Sequence, residues 1–203
     1  MTRLQKDPFN MIICGVGGQG NILLSRMIGR ILIHKGYLVD IGETFGAAQR
    51  GGSVFSSLRI SKKKNRGPLI PEGRAGVILS LEPLEALRML SLFGNEEVSV
   101  IFNTQPVYPV GVLAKRFKYP ELEKLRAAIS KLSYQSWSLN ATQLAMKLNA
   151  PIIANIIMLG ALVGTNTIPI SMEDVKSEIK NSLPSNKVEL NWQALDIGFQ
   201  AIK

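Results

Sequence analysis

The chain has 203 residues, 46% of them apolar, with glycine and proline scattered as punctuation; this is the size of one α/β domain with a sizeable core and excludes a low-complexity or disordered chain. A net charge of +9, from 24 basic and 15 acidic residues, favours acidic partners without choosing among nucleic acid, a phosphate-bearing cofactor, an anionic substrate and an acidic redox protein. One cysteine excludes an intrachain disulfide and a four-thiolate iron–sulfur cluster on this chain.

Residues 1–8 lack the apolar segment of a secretory signal. Met11 to Cys14 reads as a buried strand in which Cys14 packs as a small hydrophobe. The run breaks into Gly15-Val16-Gly17-Gly18-Gln19-Gly20, and a helix follows from Asn21 to Lys35 with Leu24, Met27, Ile28 and Ile31 on one face. Gly15, Gly17 and Gly20 satisfy G-x-G-x-x-G between a strand and a helix, the setting in which free N–H groups and the helix dipole hold a pyrophosphate. The same glycines also suit a plain close turn from strand to helix. His34 sits where the end of the helix dipole stabilises it, and Gly36 stops the helix. Tyr37 to Ile41 is the second strand, with Asp40 about twenty residues past the motif, where a ribose-binding acid would stand.

The stretch from Gly42 to Gly52, with its glycines, charged pair and amide, reads as a functional loop, and Val54 to Ile60 as the strand leaving it. Lys62-Lys63-Lys64-Asn65-Arg66 is a solvated loop; no aromatic side chains interleave with it and no nucleic-acid-binding motif accompanies it, so no nucleic-acid partner is expected. Pro68 to Gly73 is an extended connection, and Gly76 to Ser80 a buried strand. A helix begins near Pro83, with the carboxylates of Glu82 and Glu85 at its positive end. Val98 to Phe102 is a strand ending in Asn103-Thr104-Gln105-Pro106, polar residues at the carboxyl end of a strand, where open α/β sheets place their sites.

Tyr119-Pro120-Glu121 opens a helix whose apolar face is Leu122, Leu125, Ile129 and Leu132. A short strand from Tyr134 to Leu139 precedes a helix capped by Asn140, with Gln143 at the capping-box position. Ile152 to Gly164 is a helix apolar all round, with Gly160 and Gly164 four apart; it packs closely against another element, a partner chain among the options. The apolar run that contains it falls short of the roughly 18 to 20 residues that span a bilayer, so a soluble, cytoplasmic protein without a membrane partner is expected. Ser171-Met172-Glu173-Asp174 is a capping box opening a helix that stops before Pro184, and the last helix carries Leu195, Phe199 and Ile202 on one face. This alternation predicts a single domain over residues 1–203, α/β and Rossmann-like, with a mostly parallel sheet and helices on both faces.

Six blocks then come together in order: Gly15-Val16-Gly17-Gly18-Gln19-Gly20, Phe45-Gly46-Ala47-Ala48-Gln49-Arg50-Gly51-Gly52-Ser53, Pro68-Leu69-Ile70-Pro71-Glu72-Gly73, Glu82-Pro83-Leu84-Glu85-Ala86, Asn103-Thr104-Gln105-Pro106 and Asn155-Ile156-Ile157-Met158-Leu159-Gly160. With them the chain resembles the gamma-type subunit of 2-oxoacid:ferredoxin oxidoreductases and, within that family, the beta subunit of the indolepyruvate branch. The resemblance implies oxidative decarboxylation of a 2-oxoacid, an arylpyruvate in this branch, to acyl-CoA, CO2 and reduced ferredoxin. Thiamine diphosphate with magnesium and iron–sulfur clusters supply that chemistry. The resemblance places these cofactors on a larger partner subunit, through which ferredoxin is reached; this chain lacks cluster cysteines and a G-D-G segment followed by Asn.

No catalytic residue and no metal site are therefore expected on this chain. The residues assigned to cofactor binding or to an interface are Gly15, Gly17, Gly18, Gln19, Gly20, Gln49, Arg50, Gly51, Gly52, Glu82, Asn103 and Gln105. Two roles stay open for them. The glycine loop and the Arg50 guanidinium suit a phosphate of coenzyme A; the Gln-Arg-Gly-Gly loop equally suits docking on the thiamine subunit, the role favoured here because glycines let backbones approach and arginine is enriched in interface cores. Related gamma subunits serve pyruvate, 2-oxoisovalerate or 2-oxoglutarate. A stand-alone Rossmann protein that binds FAD or NAD(P) is the alternative from another class.

Overall fold

The computed structural model describes residues 4–44, 51–116 and 118–202. Strand β1 (Phe9–Val16) is buried along its whole length. Its side chains alternate between two cores, Met11 and Ile13 entering the larger, Ile12 and Cys14 the smaller. A strand covered on both faces reads as a continuous apolar run, which is why no alternation marks it in the sequence. Burial also pushes the Cys14 thiol well above its ordinary range, as befits a packing residue.

The chain continues through α1 (Asn21–His34), β2 (Leu38–Glu43), β3 (Ser53–Ser61), β4 (Val77–Ser80), α2 (Pro83–Phe93), β5 (Ser99–Asn103), α3 (Val110–Leu113), α4 (Leu122–Leu132), β6 (Gln135–Leu139) and α5 (Ala141–Lys147). A 3-10 turn, Pro151–Ile153, leads into α6 (Ala154–Gly164), followed by α7 (Met172–Ser182) and α8 (Ser185–Gln200). The strands form one sheet in the order β2-β3-β1-β4-β5-β6. β1, β4, β5 and β6 run parallel, whereas β3 is antiparallel to both β1 and β2. The sheet is thus mostly parallel, with α2 and α4 packed on one face and α1, α5, α6, α7 and α8 on the other.

The helix starts follow local chemistry. Ser171 accepts the Asp174 N–H, and Asp174 accepts the Ser171 N–H in return, a closed capping box at α7. Asn140 caps α5 by accepting the Gln143 N–H at 2.9 Å. Ion pairs from Arg30 to Glu178 and from Lys35 to Asp174 tie α1 to α7.

Helix α6 is buried from Asn155 to Val163, and the element it packs against is α8 of the same chain. Two glycines let the backbones touch. A Cβ on Gly160 would stand 2.0 Å from the Leu195 carbonyl oxygen, and one on Gly198 would stand 1.8 Å from that of Ile157. Neither obstacle is a movable side-chain tip, so any larger residue must push the helices apart. Gly164 is looser, its Cβ meeting the Phe199 oxygen at 3.2 Å. Gly198→Ala is therefore expected to destabilise the chain by about 1–3 kcal/mol or more, and Gly164→Ala by clearly less. Urea midpoints of the two variants check this, and equal costs would contradict the packing described.

Candidate functional site

The glycine loop at the carboxyl end of β1 is built differently from a dinucleotide cradle. The β1–β3 ladder, which runs from the pair Phe9–Ile60 to the pair Val16–Ser53, continues past the strand ends. Gly17 donates its N–H to the Gly52 oxygen at 2.8 Å, and Gly51 donates to the Gly17 oxygen at 3.3 Å. Gly51 and Gly52 thus lie on the loop itself, while Gln49 and Arg50 lie outside the described residues. Gly15 is fixed by close approach: a Cβ there would stand 2.6 Å from Gln19 Oε1. Gly18 and Gly20 take left-handed backbone, at φ 101 and 95, and Gly20 is the N-cap of α1 with no side-chain cap.

Because β3 separates β1 from β2, Asp40 does not border the glycine loop in the sheet. Its carboxylate holds the basic loop instead, with Oδ2 accepting the N–H groups of Arg66 and Gly67 at 2.7 and 3.1 Å. Lys62 to Arg66 are exposed. The acid that stands at the ribose-binding spacing of the motif has a structural use two strands away from it.

On the other side of the loop, the carboxyl ends of β1, β4 and β5 frame a crevice of about 310 Å³ with the starts of α5 and α6. This is the point where the chain winds away in both directions, and crevices at such points bind ligands in open α/β sheets. A polar staple crosses its floor. Gln19 accepts the Val16 N–H at 2.7 Å and donates to the Leu81 oxygen at 3.0 Å. Asn103, 2% exposed, donates to the same oxygen at 3.2 Å and to Thr142 Oγ1 at 2.9 Å, and accepts the Ala141 N–H at 3.0 Å. Both amides are engaged within the chain. Gln105 is exposed and lines the crevice, as does Asn155.

Glu82 lies just beyond β4 and is 1% exposed. It caps α2 by accepting the Glu85 N–H at 2.9 Å, and it also accepts the Tyr119 hydroxyl and, at 3.4 Å, the Val107 N–H. Tyr119 meets Tyr108 edge-on at 5.2 Å between centroids. Glu82 thus anchors the segment that carries Val107 over the crevice, a connection that no sequence pattern signals. Burial raises its carboxyl above the ordinary value, against the lowering effect of the Tyr119 bond and the two N–H bonds.

Among the described residues, no three His, Cys, Asp or Glu side chains come together as metal ligands. The single thiol, fully buried in Cys14, does not fit an iron–sulfur cluster. Among the described residues, neither a cluster nor a magnesium–thiamine site finds its ligands.

The raised carboxyl of Glu82 gives a pH signature. Its protonated form stabilises the fold fully below the unfolded-state value of 4.5, and that contribution is lost as pH rises through the higher folded-state value. The difference in unfolding free energy between wild type and Glu82→Gln is therefore expected to move in favour of the variant as pH rises from about 4 toward neutrality. Denaturant titrations at several pH values measure it, and a pH-independent difference would show that Glu82 titrates normally.

The model of the family described as pyruvate ferredoxin/flavodoxin oxidoreductase matches residues 10–201. The chain is 40% identical to "Indolepyruvate oxidoreductase subunit IorB" of Archaeoglobus fulgidus, over 95% of each chain. Its fold is similar to the gamma subunit of keto/oxoacid ferredoxin oxidoreductase from Geobacter sulfurreducens, with a TM-score of 0.67 and 22% identity over 96% of this chain and 98% of that one. It is also similar to 2-oxoglutarate:ferredoxin oxidoreductase from Magnetococcus marinus, solved with 2-oxoglutarate, coenzyme A and succinyl-CoA bound, with a TM-score of 0.74 and 19% identity over 98% of this chain and 31% of that one. No helix among the described residues is long and apolar enough to cross a membrane. The chain belongs to the pyruvate ferredoxin/flavodoxin oxidoreductase family and has the fold of its gamma subunits.

Proposed function

We propose that this chain is the small subunit of an indolepyruvate, or more broadly arylpyruvate, oxidoreductase, and that it docks the carboxyl edge of its sheet on a larger subunit. The overall reaction takes a 2-oxoacid, coenzyme A and two oxidised ferredoxins to acyl-CoA, CO2, a proton and two reduced ferredoxins. Thiamine diphosphate, magnesium and iron–sulfur clusters on the larger subunit supply the bond cleavage and electron transfer. This chain's part is to complete and shape the assembly.

The observation that carries the reading is the 40% identity to an indolepyruvate oxidoreductase subunit over 95% of both chains. The carboxyl edge supports the docking role. Ile152, 84% exposed, and Val107, 36% exposed, line the mouth of the crevice, and Tyr108 beside Val107 is half-exposed. Exposed apolar side chains around a polar floor suit a protein interface. Gly51 and Gly52 lie at the same edge, hydrogen-bonded to Gly17. A free-standing dinucleotide-binding role is disfavoured by β3, which stands between the glycine loop and Asp40.

A tagged pull-down from the source cells, followed by coenzyme A-dependent reduction of a viologen dye, tests the proposal. The expected result is a larger thiamine-containing, iron–sulfur partner with kcat/KM highest for indolepyruvate and phenylpyruvate; preference for pyruvate or 2-oxoglutarate would move the chain to another branch, and recovery of a colourless chain alone would contradict the reading. Arg50→Ala is expected to lower turnover of the assembled enzyme roughly tenfold or more while the chain stays folded by circular dichroism. Unchanged turnover and assembly would remove Arg50 from the interface.

A further inference from the structure

The sheet ends in two edge strands, β2 and β6, and they are guarded differently. β2 carries the carboxylates of Asp40 and Glu43, and Asp40 ties the basic loop beside it by accepting the Arg66 and Gly67 N–H groups. Charges and a covering loop keep a free edge from pairing with another chain. β6 reads Gln135-Ser136-Trp137-Ser138-Leu139, with no charge, no proline and no glycine. Tyr134, just before it, is 74% exposed and Leu132 is 52% exposed. Among the described residues, the backbone of β6 bonds only to β5 and to Thr104 just past it.

The ladder fixes which groups of β6 are free. Thr104 donates its N–H to the Leu139 oxygen at 2.9 Å, so Leu139 turns its backbone groups toward β5. Backbone groups alternate along a strand; Gln135, Trp137 and Leu139 therefore face β5, while Ser136 and Ser138 point N–H and C=O outward. Side chains alternate too. Trp137 and Leu139 pack against the larger core, which puts the two serines on the opposite face of the sheet.

This edge is complementary to itself. Antiparallel pairing of two copies about a two-fold axis at Trp137 sets Ser136 against Ser138 of the second copy and Ser138 against Ser136 of the second copy. Every outward N–H and C=O of both strands then finds a partner, and small side chains meet small ones. The neighbouring registers are poorer. An axis at Ser136 sets Ser138 against Tyr134, whose N–H is already given to the Val98 oxygen at 2.9 Å, and an axis at Ser138 sets Ser136 against Asn140, the N-cap of α5. In a chain of net charge +9, an uncharged strand is also a place where two copies can meet without like charges directly opposed.

We propose that two copies of this chain join through β6, antiparallel about Trp137, so that a single sheet runs through both. The inference rests on the edge alone and needs neither the enzyme assignment nor the docking of the carboxyl edge.

The test combines light scattering of the full chain during size exclusion with cysteine crosslinking. Cys14 is buried and does not compete. Ser136→Cys and Ser138→Cys are small changes on a half-buried strand. The expected result is a mass of two chains for the wild type and, under mild oxidation, roughly tenfold more covalent dimer from an equilibrated mixture of the two variants than from either alone, because only 136 and 138 of different copies come within disulfide reach. The double variant Ser136→Lys/Ser138→Lys, which opposes like charges in this register, is expected to run as a folded single chain by circular dichroism and light scattering. A one-chain mass of the wild type at every concentration, or equal crosslinking in the mixture and in the single variants, overturns the proposal. A one-chain mass together with protection of β6 from hydrogen exchange only in a complex overturns it too, and assigns the edge to a different protein.

Discussion

The hydrogen bonds between β1 and β3 decide what the glycine loop can do. An antiparallel strand inserted beside β1 uses the edge that β2 would occupy in a plain doubly wound sheet, and its ladder runs on through Gly17, Gly51 and Gly52. The N–H of Gly17 is spent on Gly52, that of Val16 on Gln19, and that of Gln19 on the Val16 oxygen. A crevice of about 310 Å³ opens on the flank toward β4, β5 and α6, and one of about 300 Å³ lies on the β3 side against Val54 and Phe55. The same pattern of glycines that cradles a dinucleotide elsewhere here joins two loops and lines a crevice on each flank.

The crevice toward β4, β5 and α6 gathers segments far apart in the chain. Gln19 follows β1, Leu81 follows β4, Asn103 ends β5, Thr142 belongs to α5 and Asn155 to α6, and hydrogen bonds through Leu81 and Asn103 join the first four. Residues at the carboxyl ends of parallel strands are brought together by the winding of the sheet, whatever their distance in sequence. Buried amides hold a fixed geometry at low cost only when their donors and acceptors are matched, as those of Gln19 and Asn103 are. The crevice thus combines a hydrogen-bonded polar floor with an apolar rim at Val107 and Ile152.

Much of this was legible in the sequence, and the rest has identifiable causes. Period and glycine placement marked β1, α1 and the α6 glycines, and the capping box at Ser171 marked the start of α7. The direction and place of β3 were not legible, since pairing partners of a strand are set by long-range hydrogen bonds that leave no local pattern. The partner of α6 was open for the same reason: Gly160 announces a close neighbour, but only the fold shows that Leu195 and Gly198 of α8 supply it. The Glu82 side chain was legible at the start of α2, but its bond to Tyr119 was not, because the two are joined across a connection without periodicity. Asn155 carried a readable signal, a single amide in an apolar helix start, but only the fold sets it against Gly20.

Hydrogen–deuterium exchange on the free chain and on the assembled enzyme tests most directly whether the carboxyl edge is the functional face. The account predicts new protection confined to the glycine loop, the segment after Gly51, the stretch around Val107 and the turn at Pro151–Ile153, with the amino edge around Arg74 and Glu97 unchanged. Protection concentrated at the amino edge or on the outer face of α8 would contradict it.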